Sequence, residues 1–159
     1  MKDVFLASPM ASLTGRGSYI RERESASDLA RIIESYCGYS VYYAGDEIES
    51  DADFEAPGIA LALNVQALRD SRHFVLLVTE PLVKPSSVWV EAGLALAYGK
   101  PLTLFVNAPD DLPYMLRQVT DAHDVPGIPT CPFTGLAELG LLRGVDLGVA
   151  GWGWGGAPG

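Results

Sequence analysis

Cysteine and histidine are scarce in this sequence. Its 159 residues include two cysteines, Cys37 and Cys131, and two histidines, with no CxxC pair and no Cys/His cluster. A disulfide framework or a metal cage needs several such ligands at close spacing. We therefore expect reduced thiols, a cytoplasmic location, and neither a metal nor another cofactor.

Positive charge and long apolar runs are scarce as well. Eleven Lys and Arg residues stand against twenty Asp and Glu residues, which gives a formal net charge of -9. Such a chain is poorly suited to bind duplex nucleic acid or an anionic membrane. No run reaches the roughly 18 apolar residues that span a bilayer, and the apolar run at the N-terminus is too short for a signal peptide. We expect no nucleic acid polymer and no membrane among the partners.

The chain does contain enough apolar material for one packed domain. Hydrophobic residues make up 48% of it and charged residues 19%, which is typical of globular proteins. We expect an α/β domain over residues 1–120 and a C-terminal extension over 121–147, with a last helix near 136–142. Residues 148–159 form a tail rich in glycine and tryptophan, which we expect to be disordered.

Apolar runs and helical patterns alternate along the first 120 residues. Short apolar runs bounded by turn residues predict strands at 4–7, 40–43, 73–78 and 102–106. Between and after them, helices are predicted at 18–36, 58–70, 86–98 and 110–119, with a loop at 46–55. This alternation is typical of right-handed βαβ units. We predict a flavodoxin-like open parallel sheet of order 2-1-3-4-5, with helices on both faces.

Such a sheet binds its ligand beyond the carboxyl ends of its strands, where the strand order reverses. Here that point lies between the first and third strands. The first strand is followed by Ser8, Pro9 and Met10, and the loop after the third strand continues to Ser86 and Ser87. We expect these residues to meet at one crevice, where the two serines either cap the following helix or contact the ligand.

Glu91 is the most informative residue of that region. It lies in the first turns of a helix that is otherwise apolar and has no Lys or Arg before Lys100. One interpretation is that it faces water and complements the positive end of the helix. The other is that apolar neighbours adjust its proton affinity, as in a nucleophile or an acid/base group.

The residues around Glu91 resemble a known family. The run Val78-Thr79-Glu80-Pro81, then Ser86-Ser87, then Glu-Ala-Gly-Leu-Ala-Leu-Ala-Tyr-Gly-Lys-Pro over 91–101 is similar to the nucleoside 2-deoxyribosyltransferase superfamily, which includes nucleotide N-glycosidases. The resemblance implies that Glu91 attacks the anomeric carbon of a nucleoside or nucleotide. It also implies that Ser87 or Ser86 holds the 5'-hydroxyl or 5'-phosphate, and that the protein is a homo-oligomer.

Asn64 departs from the family pattern, because the family carries an aspartate at the corresponding place. An amide cannot donate a proton to a leaving base as a carboxylic acid does. Either Asn64 only orients the sugar or base, or the leaving group needs no proton. The nicotinamide of NAD is such a group, and NAD is therefore a candidate substrate.

Two alternative functions remain open. TIR domains share this architecture and, when enzymatic, use a glutamate near the same place, so a TIR-type NAD glycohydrolase or cyclase of bacterial antiphage signalling is one. A non-catalytic nucleotide sensor is the other.

Further contacts with a ligand are possible on chemical grounds. Guanidinium groups that suit phosphate are Arg16, Arg21 and Arg23, and aromatic rings that can stack on a base are Tyr19, Tyr42, Tyr43 and Trp89. Asp46, in an acidic loop, suits a ribose hydroxyl or a cationic nicotinamide. For each of these residues the alternative is a solvent-facing or core-packing role.

Overall fold

The structure is a computed structural model that describes residues 1–10, 17–48, 56–79, 86–106, 112–114, 116 and 130–132. Its strands are β1 (Val4–Ala7), β2 (Val41–Tyr43), β3 (His73–Val78), β4 (Leu102–Val106) and β5 (Thr130–Pro132). Its α-helices are α1 (Gly17–Ile32), α2 (Pro57–Asp70) and α3 (Val88–Ala97). A π-helical turn, Ile33–Cys37, extends α1, and a 3-10 turn, Ala44–Glu47, follows β2.

The five strands form one parallel sheet of order β2-β1-β3-β4-β5. Leu6 of β1 pairs with Tyr43 of β2 on one side and with Val75 of β3 on the other. The order reverses between β1 and β3, so that the chain leaves these neighbouring strands in opposite directions across the sheet. The predicted flavodoxin-like sheet is confirmed.

Alternate residues of each strand serve two separate apolar layers, because successive side chains point to opposite faces. On one face, Val4 and Leu6 pack with Leu29 and Ile33 of the first helical segment. On the other, Phe5 and Ala7 pack with α2 and α3. Helices therefore cover both faces, as predicted, and the buried strands read as continuous apolar runs.

The predicted elements agree with the structure to within a few residues up to β4. The first helical segment ends at Gly38, whose φ of 70° is readily adopted by glycine. The predicted order includes a fifth strand, to which the sequence analysis assigned no residues; in the structure it is β5, in the C-terminal extension. Among the described residues β5 pairs with β4 alone, and a proline is tolerated in such an edge position. Most of the predicted helix at 110–119, the helix at 136–142 and the tail at 148–159 lie outside the described residues.

Two kinds of feature are absent from the described ranges. No helix there combines the length and the apolar content needed to cross a membrane. No group of three or more His, Cys, Asp or Glu side chains is arranged there to hold a metal ion.

Candidate active site

A cleft opens beyond the carboxyl ends of β1 and β2. Its empty space, counted out to the open solvent at its mouth, is about 290 Å³. Its lining comes from both strand ends, the middle of α2 and the start of α3: Phe5, Leu6, Ala7, Ser8, Met10, Tyr43, Ala44, Asn64, Ser87 and Glu91. The sequence predicts a ligand at this carboxyl edge but between the first and third strands. The cleft instead lies beyond β1 and β2, and no residue of β3 lines it.

Glu91 faces this cleft from the first turn of α3 and is half-buried. Asn64 Nδ2 donates a hydrogen bond to Glu91 Oε1 over 2.9 Å. Desolvation raises the pKa of Glu91 to about 7, although the Asn64 hydrogen bond lowers it in part. A carboxyl group with such a pKa exists in both protonation states near neutral pH, as groups of active sites often do.

Asn64 is held at both ends of its amide. Its Oδ1 accepts a hydrogen bond of 3.1 Å from the Tyr42 hydroxyl, while its Nδ2 donates to Glu91. The Tyr42 ring stacks on Phe5, with ring centroids 5.3 Å apart. These two hydrogen bonds therefore link the Glu91 carboxylate through Asn64 to Tyr42 of β2 and fix its position. Asn64 is arranged to orient Glu91, and its amide has no proton to give to a leaving base.

Ser87 occupies the residue before α3. Its side chain makes no capping hydrogen bond, whereas its carbonyl oxygen accepts from the N–H groups of Val90 and Glu91. The Ser87 side chain therefore does not cap α3, which was one of the two roles considered for it. The residue lines the cleft together with Glu91, at the positive end of the α3 dipole.

Glu22 is a site-forming residue that the sequence analysis missed. Its side chain on α1 is buried, and it accepts hydrogen bonds from Ser8 Oγ over 3.1 Å and from the Thr79 N–H over 3.2 Å. The Thr79 hydroxyl also donates to it. Since Ser8 follows β1 and Thr79 follows β3, one carboxylate joins the two strand ends that flank the reversal of strand order.

The helical period contained a signal for Glu22. Its immediate neighbours are Arg21, Arg23 and Glu24, which suggest a solvated stretch. However, position 22 lies on the same helical face as Ala26, Leu29 and Ile33, all fully buried. A carboxylate in register with a buried face indicates a paired, structural charge.

The other predicted contacts lie around the cleft but do not line it. Tyr19 is buried and its hydroxyl donates to the carbonyl oxygen of Ile48 over 3.0 Å. Arg23 donates to the carbonyl oxygens of Gly45 and Asp46, so it braces the turn after β2. The Asp46 carboxylate is exposed and accepts a hydrogen bond from Ser27.

The remaining predicted residues have simpler environments. Arg21 is exposed, Pro9 is buried and Ser86 is half-buried. Trp89 packs against the apolar layer between the sheet and α3. Arg16 lies outside the described residues. Thus the structure brings together six residues of the predicted set: Ser8, Met10, Tyr43, Asn64, Ser87 and Glu91.

Comparisons with known proteins give the fold but no family assignment from sequence. No family model matches the chain, and no curated protein matches it. Two solved structures are similar to it. The CMP N-glycosidase BcmB of Clostridium botulinum is 23% identical, with a TM-score of 0.62 and coverage of 92% of this chain and 98% of that chain. BlsM is 21% identical, with a TM-score of 0.62 and coverage of 90% and 85%.

The predicted resemblance to nucleotide N-glycosidases is confirmed at the level of the fold. The structural likeness extends over most of the length of both neighbours, so it includes the strands and helices that form the cleft.

Proposed function

We propose that this protein is an enzyme that breaks the N-glycosidic bond of a small nucleotide or nucleoside, with Glu91 as the nucleophile. The observation that carries the proposal is the placement of the Glu91 carboxylate in the cleft, held there by Asn64 over 2.9 Å. The fold shared with a CMP N-glycosidase supports the same reaction class.

The chemistry of the bond favours such a carboxylate. As the C–N bond breaks, the base leaves with the bonding electrons and takes up a proton from water, while positive charge develops on the sugar ring. An anion next to the anomeric carbon stabilises that charge or captures it in a covalent bond, which water or an acceptor base then breaks. Only the ionised form of Glu91 can do this. The Asn64 N–H donor favours the ionised form, while partial burial strengthens its attraction to the cationic sugar.

The start of α3 is suited to the 5' end of the substrate. Ser87 offers a hydroxyl that does not cap the helix, at the positive end of the α3 dipole. A 5'-phosphate there would complement the positive end of the helix, with Glu91 one helical turn further along. We propose a nucleoside 5'-monophosphate as the substrate class. CMP, from which the N-glycosidase BcmB takes its description, belongs to the same class.

The commitment of Asn64 to Tyr42 and Glu91 favours one further candidate function. Because this amide cannot protonate a leaving base, substrates whose base leaves as a neutral molecule without a proton are suitable. NAD is such a substrate, since its nicotinamide nitrogen is quaternary. Cleavage of NAD, as in enzymatic TIR domains, is therefore the second candidate.

The test is a release assay with CMP, other ribo- and deoxyribonucleoside monophosphates, cytidine and NAD. We expect free base from at least one monophosphate, and transfer to a second base is detected by adding an acceptor base. Glu91→Gln should reduce base release by at least about 10³-fold, because it removes the nucleophile. Glu24→Gln, an exposed glutamate of α1, is the matched control and should retain full activity.

The alternatives have distinct signatures in the same assay. Free nicotinamide from NAD without base from any monophosphate would replace the first candidate by the second. Tight nucleotide binding without any product would indicate a sensor. Retention of wild-type rates by Glu91→Gln would refute the assigned nucleophile.

A further inference from the structure

Three aromatic side chains stand next to one another on the face of the sheet that α2 and α3 cover, and one of them carries a hydroxyl. Phe5 of β1 pairs in register with Tyr42 of β2 and with Phe74 of β3. Its ring centroid lies 5.3 Å from that of Tyr42 and 5.9 Å from that of Phe74, and both pairs are stacked. The two phenylalanines pack in this row without a polar group, so packing alone does not explain the Tyr42 hydroxyl.

The Tyr42 hydroxyl contacts Asn64, which in turn contacts the carboxylate of the cleft. Tyr42 is half-buried and is not one of the residues that line the cleft. Its hydroxyl donates to Asn64 Oδ1 over 3.1 Å, and Asn64 Nδ2 donates to Glu91 Oε1 over 2.9 Å. Because the ring is stacked on Phe5, the hydroxyl is held toward the middle of α2. Tyr42 therefore reaches Glu91 through Asn64.

The direction of the Asn64 amide decides which form of Glu91 it favours. An asparagine side chain has donors at one end and an acceptor at the other. With Nδ2 toward Glu91 the amide favours the carboxylate, whereas with Oδ1 toward it the amide would favour the protonated acid, which alone can donate. A phenol hydroxyl is a stronger donor than an amide N–H group, so Tyr42 makes the better hydrogen bond with Oδ1. This leaves Nδ2 for Glu91.

We propose that Tyr42 is a positioning residue, which sets the direction of the Asn64 amide so that its donor end faces the Glu91 carboxylate. The three side chains come from β2, α2 and α3, so this direction depends on the packing of all three elements. The consequence for base release rests on the proposed function. The consequence for the ionisation of Glu91 does not, because it follows from the two hydrogen bonds of the free protein.

Other titratable groups of the described chain lie apart from Glu91 or carry no charge. His73 and Glu22 make their hydrogen bonds on the opposite face of the sheet, which α1 covers. Tyr43 shares the cleft, but burial raises the pKa of its phenol well above the usual range. The Asn64 hydrogen bond therefore acts on Glu91 beside its burial alone. The groups at the C-terminal ends of α2 and α3 are exposed: Arg69, Asp70 and Tyr98.

The experiment uses Tyr42→Phe, which keeps the ring in the stacked row and removes the hydroxyl. The titration of the Glu91 carboxyl group is followed by NMR in the free, isotope-labelled protein, and its signal is assigned by its absence in Glu91→Gln. We expect the midpoint to move to higher pH by about 0.4 to 1 pH unit. For base release, kcat/KM should fall by about 2- to 5-fold at about pH 7 and by less than about 1.5-fold at about pH 9.

Two further comparisons separate positioning from a general structural effect. In an Asn64→Ala background the link is already broken, so Tyr42→Phe should move the Glu91 midpoint by less than about 0.2 pH unit. Tyr98→Phe is the matched control, because it removes a hydroxyl next to α3 whose hydrogen bond comes from Arg69. It should change neither the midpoint nor the pH profile of base release.

The inference and the proposed function fail in different ways. An unchanged Glu91 midpoint in Tyr42→Phe, or an equal displacement with and without Asn64, would overturn the inference. A loss of base release of the same size at every pH would indicate a general defect and would overturn it as well. If the wild type releases no base from any substrate, the proposed function fails, and the titration of the free protein still decides the role of Tyr42.

Discussion

Two glutamates approach the same end of the sheet from opposite faces, and they are held in different ways. Glu22 comes from α1, is buried, and accepts hydrogen bonds from Ser8 and from the backbone and hydroxyl of Thr79. Glu91 comes from α3, is half-buried, and accepts within the described chain a hydrogen bond from Asn64 alone. The more deeply buried carboxylate is the better supplied with donors.

This difference indicates how one residue type serves two purposes. Donors that replace water keep a buried carboxylate ionised and fixed, which suits a structural role. A carboxylate with too few donors keeps a high proton affinity, as the pKa of about 7 at Glu91 shows. Such a group is costly to the fold and available to a ligand. The following predictions test this contrast.

The largest effect is expected at Glu22. Glu22→Ala removes the acceptor of the hydrogen bonds from Thr79 and from the buried Ser8, so the free energy of unfolding should fall by about 2–4 kcal/mol. Glu22→Gln keeps one acceptor oxygen, so its free energy of unfolding should fall by less. Urea denaturation measures both, and a loss below about 1 kcal/mol for the alanine variant would contradict a structural role.

An effect of opposite sign is expected at Glu91. With a pKa of about 7 in the folded protein and 4.5 as the ordinary value, Glu91 stays protonated on folding while the unfolded chain ionises. Its contribution to stability is therefore complete below pH 4.5 and is lost as the pH rises through 7. Glu91→Gln has no such loss, so it should be the more stable protein above pH 7, by about 1–3 kcal/mol.

His73 makes the pH dependence of that variant easy to recognise. Burial lowers the pKa of this histidine to about 4 from 6.5, and its Nε2 lies 2.9 Å from Thr103 Oγ1. The unfolded chain takes up a proton first, so this group loses stability as the pH falls from 6.5 to 4. In the wild type the two trends oppose each other. Between pH 4.5 and 6.5, the free energy of unfolding should rise more steeply with pH in Glu91→Gln than in the wild type, as measured by chemical denaturation. Parallel curves for the two proteins would contradict the assigned Glu91 pKa.

A smaller effect is expected at Asn64. In the wild type, kcat/KM for base release should rise with pH through a midpoint near pH 7, as Glu91 ionises, and level off at higher pH. Asn64→Ala removes the donor that favours the carboxylate, so this rise should move to higher pH, with a loss of about 10-fold at about pH 7 and partial recovery at about pH 9.

The control for Asn64 lies on the same helix. Gln66 is exposed and its amide donates to Asp70, so Gln66→Ala should leave the pH profile unchanged. An unshifted profile in Asn64→Ala would show that Asn64 does not act through Glu91.

Much of this arrangement was predictable from local pattern. The runs that form β1 and β3 are apolar throughout because both faces of the sheet are covered, and this made them visible as strands. Glu91 was recognisable because it is the one carboxylate on an apolar helix. Its place in a cleft followed from the strand order, since the carboxyl ends of parallel strands share one edge.

Other features depend on partners distant in sequence, and no local pattern was strong enough to predict them. β5 is three residues long and includes a proline, and its pairing with β4 defines it as a strand. Tyr43 was considered only for stacking, because the sequence does not show that it is buried at the end of β2. Glu22 resembled a solvated charge because Thr79, its main donor, lies 57 positions away.

The sequence alone determined the alternation of strands and helices, the carboxyl edge of the sheet at which the cleft opens, and the presence of one carboxylate on an apolar helix there, since these follow from hydrophobic period and chain order. Only the tertiary structure decided the state of each polar group at that edge. Whether a carboxylate, amide or phenol is satisfied depends on which donors and acceptors the folded chain brings within about 3 Å, and that distance is set by packing between elements far apart in sequence.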